Sequence, residues 1–353
     1  MLPAQGQRRM ADKNYLRWIA EKTPTAWWHD SADPQELERG KANGAVGVTT
    51  NPVLSARALE ADPKYWTTRL EKQWQSLQGR QRAEVLMKAV VQNAARMFAP
   101  IYQDTDKAHG YVCAQVNPNE ADERETMTQM ARRFHAWAPN IAVKLPVTAA
   151  GLDVLEECIA EGITIIATVS FTVPQILAVA ERHRAGAKRA RARGIEPGRC
   201  FAVIMIGRID DYLREVIHDR KAAVGEEAIA QAGLAISKRA YRIYRERGYE
   251  AMLLVAAMRG VYHVSELAGG KLILSIHPRY QDLVLQSGMP QEQRIEREAD
   301  VRAIEQLRLI PEFVRAYEPE GMAPEEFITF GVTQKTLSQF YHSGWALLEN
   351  YEG

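Results

Sequence analysis

Lys144 stands inside the apolar run Ile141-Ala-Val-Lys-Leu-Pro146. Period-2 alternation puts it on one strand face with Ala142, while Val143 and Leu145 point the other way. Burial disfavours the ammonium, lowers the pKa and leaves a neutral amine that can attack a ketone to form a Schiff base. The competing reading is an ordinary solvated or snorkelling lysine, which needs a nearby sheet edge. Seven further apolar runs also end on polar side chains: Asp30, Asn51, Gln115, Thr168 with Ser170, Arg208, Arg259 and His277. One polar strand end is ordinary; eight together, with a lysine among them, point to a shared site. Arginine matches phosphate oxygens bidentately, which makes Arg208 and Arg259 a candidate anion grip; a structural salt bridge from Arg208 to Asp210 or Glu215 is the alternative. Asp30 is a candidate proton acceptor or, equally, a helix cap.

Elements that could carry these residues follow from the pattern of the runs. They are Ala26–Asp30, Ala45–Asn51, Tyr111–Asn117, Ile141–Pro146, Thr164–Phe171, Cys200–Arg208, Met252–Met258 and Leu272–His277. Near-continuous apolar character suits parallel strands buried on both faces. Helical signals lie between them: Asp33-Pro34 to Gly40, Asn119–Trp137, Ala149–Glu161 with Gly162 as C-cap, Thr172–Arg193, Glu226–Arg247 ending at Gly248, and Val264–Ala268. Eight strands alternating with helices predict an α/β protein, a (β/α)8 TIM barrel with added N-terminal and C-terminal helices. Length alone, 353 residues, offers about two domains. The barrel reading makes residues 1–353 one domain, with its core at about 26–280 and a C-terminal helical extension over 281–353. No dinucleotide or P-loop glycine pattern supports an open-sheet nucleotide fold; Gly269-Gly270-Lys271 runs on into Leu272.

Composition narrows the function classes. Hydrophobic residues make up 46% and charged residues 25%, which excludes a mostly disordered or collagenous chain. Lys plus Arg (45) balance Asp plus Glu (44), so there is no global pull toward nucleic acid or anionic membrane. Cys113, Cys158 and Cys200 are far apart in apolar runs, which excludes a disulfide framework or zinc knuckle and fits a reducing, cytoplasmic compartment. The N-terminus, Met1-Leu-Pro-Ala-Gln-Gly-Gln-Arg8, reaches no apolar h-region and is not expected to be a secretory signal. Gly162 to Ala180 is uncharged, but its Thr, Ser, Pro and Gln residues suit a buried strand turning into a helix better than a membrane span. The arginine-rich stretch 182–199 is expected to be a solvated helix face. Phe327, Phe330, Phe340, Tyr341 and Trp345 are expected to pack a terminal helix, with a lid or a subunit contact in a homo-oligomer as alternatives.

At these motifs the chain resembles the transaldolase family of class I aldolases. The carrying elements are Gly47-Val-Thr-Thr-Asn-Pro52, Ala142-Val-Lys-Leu-Pro-Val-Thr148 and Glu161-Gly-Ile with Thr168 after it. Looser matches are Gly207-Arg-Ile-Asp210 and Ala256-Ala-Met-Arg259; the likeness runs from about Trp27 to His277. It implies that Lys144 forms the Schiff base with a keto sugar and that Asp30 accepts the C4 hydroxyl proton as C3–C4 breaks. Asn51 and Thr168 would hold the dihydroxyacetone unit and a water, and Arg208 and Arg259 the terminal phosphate. No metal or organic cofactor is implied, because the protonated imine is the electron sink.

The chain departs from that pattern at three places. Gln115 replaces the usual glutamate and can orient a water but not take its proton. The fructose 6-phosphate aldolases also carry glutamine there, but pair it with a tyrosine where this chain has Met205. Ala257 replaces the phosphate-binding serine. His277 and Arg279 could supply what those positions lack and help hold a phosphate or sulfonate tail, or be a plain loop histidine and surface arginine. Ser170 also lies near the predicted mouth, while His29 should point outward. The expected function is transfer of a dihydroxyacetone unit between small anionic sugars. The rivals are an aldolase that releases a free three-carbon product and a sugar-phosphate-binding paralogue with little catalysis.

Overall fold

A computed structural model describes residues 14–70 and 72–353; the expectation about Met1 to Arg8 lies outside those residues. The strands are β1 (Ala26–His29), β2 (Val112–Gln115), β3 (Ile141–Pro146), β4 (Ile165–Thr168), β5 (Cys200–Met205), β6 (Met252–Ala256) and β7 (Ile273–Ile276). All pair in parallel, in the order β1-β7-β6-β5-β4-β3-β2. Each connection carries helix, as parallel strands require. The sheet is thus curled until the first strand meets the last, with helices around it.

Seven strands replace the eight expected. The run Ala45–Asn51 forms only an isolated bridge at Val48, which pairs with His29 on one side and Val112 on the other. Its backbone nevertheless bonds both edges of the sheet. Val46 N–H donates to Trp27 O and Thr49 N–H to His29 O, while Val48 N–H donates to Tyr111 O and Val48 O accepts from Cys113 N–H. Extension stops there for two physical reasons. Gly47 lies so close to the Trp28 indole that a Cβ would come within 2.5 Å of it. At Asn51 the chain then turns into the helix Pro52–Ala61, the Asn51 side chain accepting from Leu54 N–H at 3.0 Å.

Strand boundaries are also tighter than expected. β5 ends at Met205 and passes without a loop into the helix Ile206–Arg220, so Arg208 sits in a first helical turn and not on a strand. β6 ends at Ala256, leaving Arg259 in a loop. The helix expected over Glu226–Arg247 is broken into Glu226–Ile229 and Ala232–Glu246. Gly162 and Gly248 follow their helices with positive φ, +83° and +59°, as their capping role requires. Gly162–Ala180 folds as β4 and the start of the helix Val173–Ala192, and no described helix is long and apolar enough to cross a membrane. The basic stretch behaves as expected: Arg182 and Arg189 pair with Glu156 and Arg191 with Glu250 on the exposed face.

One glycine fixes the strand that carries the lysine. Gly151, in the helix Ala149–Ala160, packs so tightly on the end of β3 that a Cβ would lie 1.9 Å from Pro146 O. The backbone must move to admit it. Gly151→Ala is therefore expected to cost about 2–3 kcal/mol, read as a lowered urea midpoint at constant m.

The C-terminal segment returns to the sheet beside the helix Pro52–Ala61. The helix Gly331–Phe340 runs on into a π-helical turn, Tyr341–Trp345, whose Gly344 lies against Pro52 and Val53. A Cβ there would come within 2.5 Å of Val53 N, so the segment is seated on the helix that follows Asn51.

Candidate active site

Strand register brings Lys144, Gln115 and Thr168 onto one face. Gln115 pairs directly with Lys144, and Thr168 pairs with Pro146, two residues further along β3. Val203 and Met205 of β5, Leu254 and Ala256 of β6, and Ser275 of β7 reach the same cavity of about 320 Å³, which Asp30, Thr49, Asn51 and Lys144 also line. The expected outward direction of His29 holds. It is buried against the helices, where Gln281 Nε2 meets its Nδ1 at 2.9 Å and burial pushes its pKa down to about 4.

Two buried lysines show what is unusual about this site. Lys238, 7% exposed, pairs with Glu266 at 3.1 Å and donates to the carbonyls of Arg294 and Arg297. Lys144, 6% exposed, has no carboxylate partner among the described residues; its Nζ donates to Thr50 O at 3.2 Å. Its pKa lies below the ordinary lysine value because of burial. Cys113 and Asp30 oppose the shift and the Arg208 cation adds to it. An amine so placed is a nucleophile in waiting.

Asp30 does not cap a helix; Asp33 does, accepting from Gln35 and Glu36 N–H. Asp30 Oδ1 instead accepts from Thr49 Oγ1 at 2.7 Å, and Thr49 Oγ1 lies 2.6 Å from Ser275 Oγ. This relay holds the carboxylate at the cavity wall. Gln115 Oε1 and Thr168 Oγ1 are buried with no hydrogen-bond partner among the described residues, an arrangement that is costly unless a ligand or water completes it. Just beyond Thr168, Val169 takes a left-handed backbone (φ 54°), and Ala257 does the same after β6 (φ 59°). Two non-glycine residues so strained at the strand ends are what a shaped mouth requires.

Other expected site residues are placed differently. Ser170 turns away from the cavity, its Oγ donating to Val203 O at 2.6 Å, because the strained Val169 turn directs it to β5. Arg208 makes no salt bridge to Asp210 or Glu215. Asp210 faces His263 at 3.2 Å and Glu215 pairs with Lys335, while Arg208 Nη1 donates to Gln339 Oε1 at 2.6 Å. Burial and the neighbouring Arg259 push the Arg208 guanidinium down to about 10. Arg259 is held by Asp211 through Nε and Nη2 at 2.8 and 2.7 Å. His277 lines the cavity and caps the helix Pro278–Gln286, its Nδ1 accepting from Arg279 N–H at 3.2 Å. Arg279 also lines the cavity.

The residue patterns do not reveal four contributors. Thr49 and Ser275 form the relay to Asp30, and Ser275 could have been found as the residue two before His277 on one strand face. Arg57 reaches the cavity from the helix Pro52–Ala61. Phe340 arrives from the C-terminal helix; Lys144 Nζ lies 5.8 Å and Arg208 Cζ 5.2 Å from its ring centre. Of the terminal aromatics, Phe327, Phe330 and Trp345 pack inside as expected, whereas Phe340 covers the lysine.

Residues 27–325 match the model of the transaldolase/fructose-6-phosphate aldolase family. The chain belongs to this family. Its relatives named transaldolase include one from Acidothermus cellulolyticus, 28% identical over 234 residues, covering 62% of each chain. Another from Mycobacterium tuberculosis is 27% identical over 231 residues, 62% of this chain and 61% of the other. A third from Neisseria gonorrhoeae is 32% identical over 204 residues, 57% and 58%. The match thus spans about 62% of the length of the first of these transaldolases. Among solved structures, an oxaloacetate acetylhydrolase in complex with the product oxalate covers 93% of this chain and 96% of its own, with 12% identity and a TM-score of 0.28, too slight a likeness to bear on fold or function.

Phe340, whose ring lies near Lys144, and Gln339, which bonds Arg208, lie outside the region matched by the family model.

Proposed function

We infer that this chain is a transaldolase that moves a dihydroxyacetone unit from an anionic ketose to an aldehyde through a Schiff base on Lys144. The observation that carries the reading is the buried lysine without a carboxylate partner, in one cavity with Asp30. The neutral Nζ attacks the keto carbon; loss of water gives the protonated imine. Asp30 takes the C4 hydroxyl proton, the C3–C4 electrons pass into the imine, and the aldehyde leaves. Asn51 on the cavity wall holds the retained three-carbon unit, and the unpartnered oxygens of Gln115 and Thr168, which do not themselves line the cavity, hold a water. An incoming aldehyde then reverses these steps. The wall of Arg57, Arg208, Arg259 and Arg279 draws the anionic substrate.

The aldolase reading has one observation in its favour. Gln115 cannot act as a base where the family usually has a glutamate, and release of a free three-carbon product then depends on how Thr168 and Gln115 hold water. We further read the curled sheet as a (β/α)8 barrel completed by the segment 46–49, with residues 1–353 as one domain and a cytoplasmic setting.

Borohydride trapping tests the inference. Incubation with fructose 6-phosphate followed by reduction is expected to add a three-carbon unit to Lys144, located by peptide mass. A requirement for an acceptor aldehyde during turnover identifies the transferase; turnover without one identifies the aldolase. A sugar phosphate that binds but leaves no adduct would make the protein a binding paralogue and defeat both.

A further inference from the structure

The four arginines at the cavity are not equally available. A guanidinium has five N–H donors. Arg259 spends two on Asp211 and directs Nη1 to the carbonyls of Ala257 and Met258, which leaves one. Arg208 is fastened to Gln339 and covered by Phe340. With alanine at position 257, no hydroxyl assists this pair. Arg57 and Arg279 differ. Neither guanidinium has a hydrogen bond or ion pair among the described residues, and Arg279 only approaches the Tyr280 ring, at 6.0 Å.

Their positions define a flank of the site. Arg57 follows the segment 46–49 and Arg279 follows β7, the two backbone neighbours of β1. They therefore straddle the strand end that presents Asp30. A second cavity of about 670 Å³ opens on this flank, between the connection after β1 and the helix Pro52–Ala61. Arg57 and His277 line both cavities, so the two adjoin at that pair. The remaining arginine of the outer cavity, Arg39, is engaged by Asp282 at 3.2 Å.

We propose that Arg57 and Arg279 form an oxyanion seat, beside His277, that receives the phosphate, sulfonate or carboxylate of the substrate on the β1 flank. The sugar chain then runs from Lys144 past Asp30 toward these arginines; the outer cavity beyond them is also lined by the carboxylates of Asp33 and Glu36, so the anion stops at the arginine pair. Arg259, held by Asp211, and Arg208, bonded to Gln339, offer fewer free donors to that charged end. The seat rests on the Schiff-base reading for its substrate, but anion binding can be measured without it.

Full-length protein, Arg57→Met, Arg279→Met, the double variant and Arg259→Met serve as the test set. Isothermal titration with inorganic phosphate, sulfate and acetate separates tetrahedral anions from carboxylates. The double variant is expected to bind the preferred anion on the order of tenfold more weakly or worse, as expected when charge-assisted bonds are lost. Its borohydride trapping with fructose 6-phosphate should fall about tenfold more than its trapping with uncharged dihydroxyacetone. Arg259→Met should move anion binding less than either single variant. Anion binding unchanged in the double variant, or lost only in Arg259→Met, overturns the seat. Absence of any dihydroxyacetone adduct in the parent protein defeats the Schiff-base reading instead, and leaves the anion titration to decide the seat.

Discussion

Replacement of Lys144 by methionine is expected to abolish both turnover and borohydride trapping. The covalent route carries a large share of an enzyme's acceleration, so the loss should be on the order of 10⁴-fold or more. Methionine keeps the length and apolar stem of the side chain and removes only the amine. Folding should survive, and the sign of the stability change is itself a test. The folded pKa of Lys144 is lowered by burial from the ordinary 10.5, so between those two values the unfolded chain binds more protons than the folded one. Stability of the parent then rises with pH across that window, and below it the buried ammonium costs the fold its full desolvation penalty. The methionine variant lacks this penalty. It should be more stable than the parent at low and neutral pH, with the advantage shrinking as pH approaches 10.5. Denaturant melts of both proteins across pH measure it; an advantage that grew with pH would contradict a desolvated amine. The same shift predicts that trapping rate rises with pH and levels off below the usual lysine range.

Asp30→Asn is expected to separate two steps that Lys144→Met removes together. Asparagine retains an oxygen for the Thr49 hydroxyl, so the relay through Ser275 should persist and the melting temperature change little. It cannot accept a proton from the sugar. Imine formation should continue while carbon–carbon cleavage falls by on the order of 10²–10⁴-fold, the usual worth of a general base. Mass spectrometry distinguishes the cases: borohydride should then trap the whole six-carbon ketose on Lys144 in place of a three-carbon fragment. Three-carbon adducts formed at the parental rate would remove Asp30 from the proton transfer and leave it as a hydrogen-bonding partner only.

Legibility in the sequence followed the reach of local periodicity. Alternation within β3 was enough to place Lys144 on a buried face, and alternation in β1 to send His29 outward and Asp30 inward. Capping chemistry located Gly162 and Gly248. The same reasoning overextended β5, because an apolar run does not show where a strand passes directly into a helix, and Arg208 was set on the wrong element. It also made a strand of Ala45–Asn51, where contact between Gly47 and the Trp28 indole and the turn at Asn51 leave a single bridge at Val48. Ser170 was misdirected by the left-handed Val169 before it, a conformation that a β-branched residue gives no reason to expect. Arg57 and Gln339 carry no local signal, and Phe340 was legible only as one of the terminal aromatics with a lid among their alternatives. Arg57 and Phe340 reach the cavity, and Gln339 reaches Arg208, through tertiary packing of their helices.

Phe340 separates the inheritance of chemistry from that of choice. Lys144 and Asp30 belong to the region matched by the family model, whereas the ring near Lys144 is supplied by the helix Gly331–Phe340, clamped where Gly344 meets Pro52 and Val53. A tail of this kind can be exchanged or lengthened without disturbing a single strand. On the proposed reading, substrate range can be tuned through that helix while Lys144 and Asp30 stay unchanged.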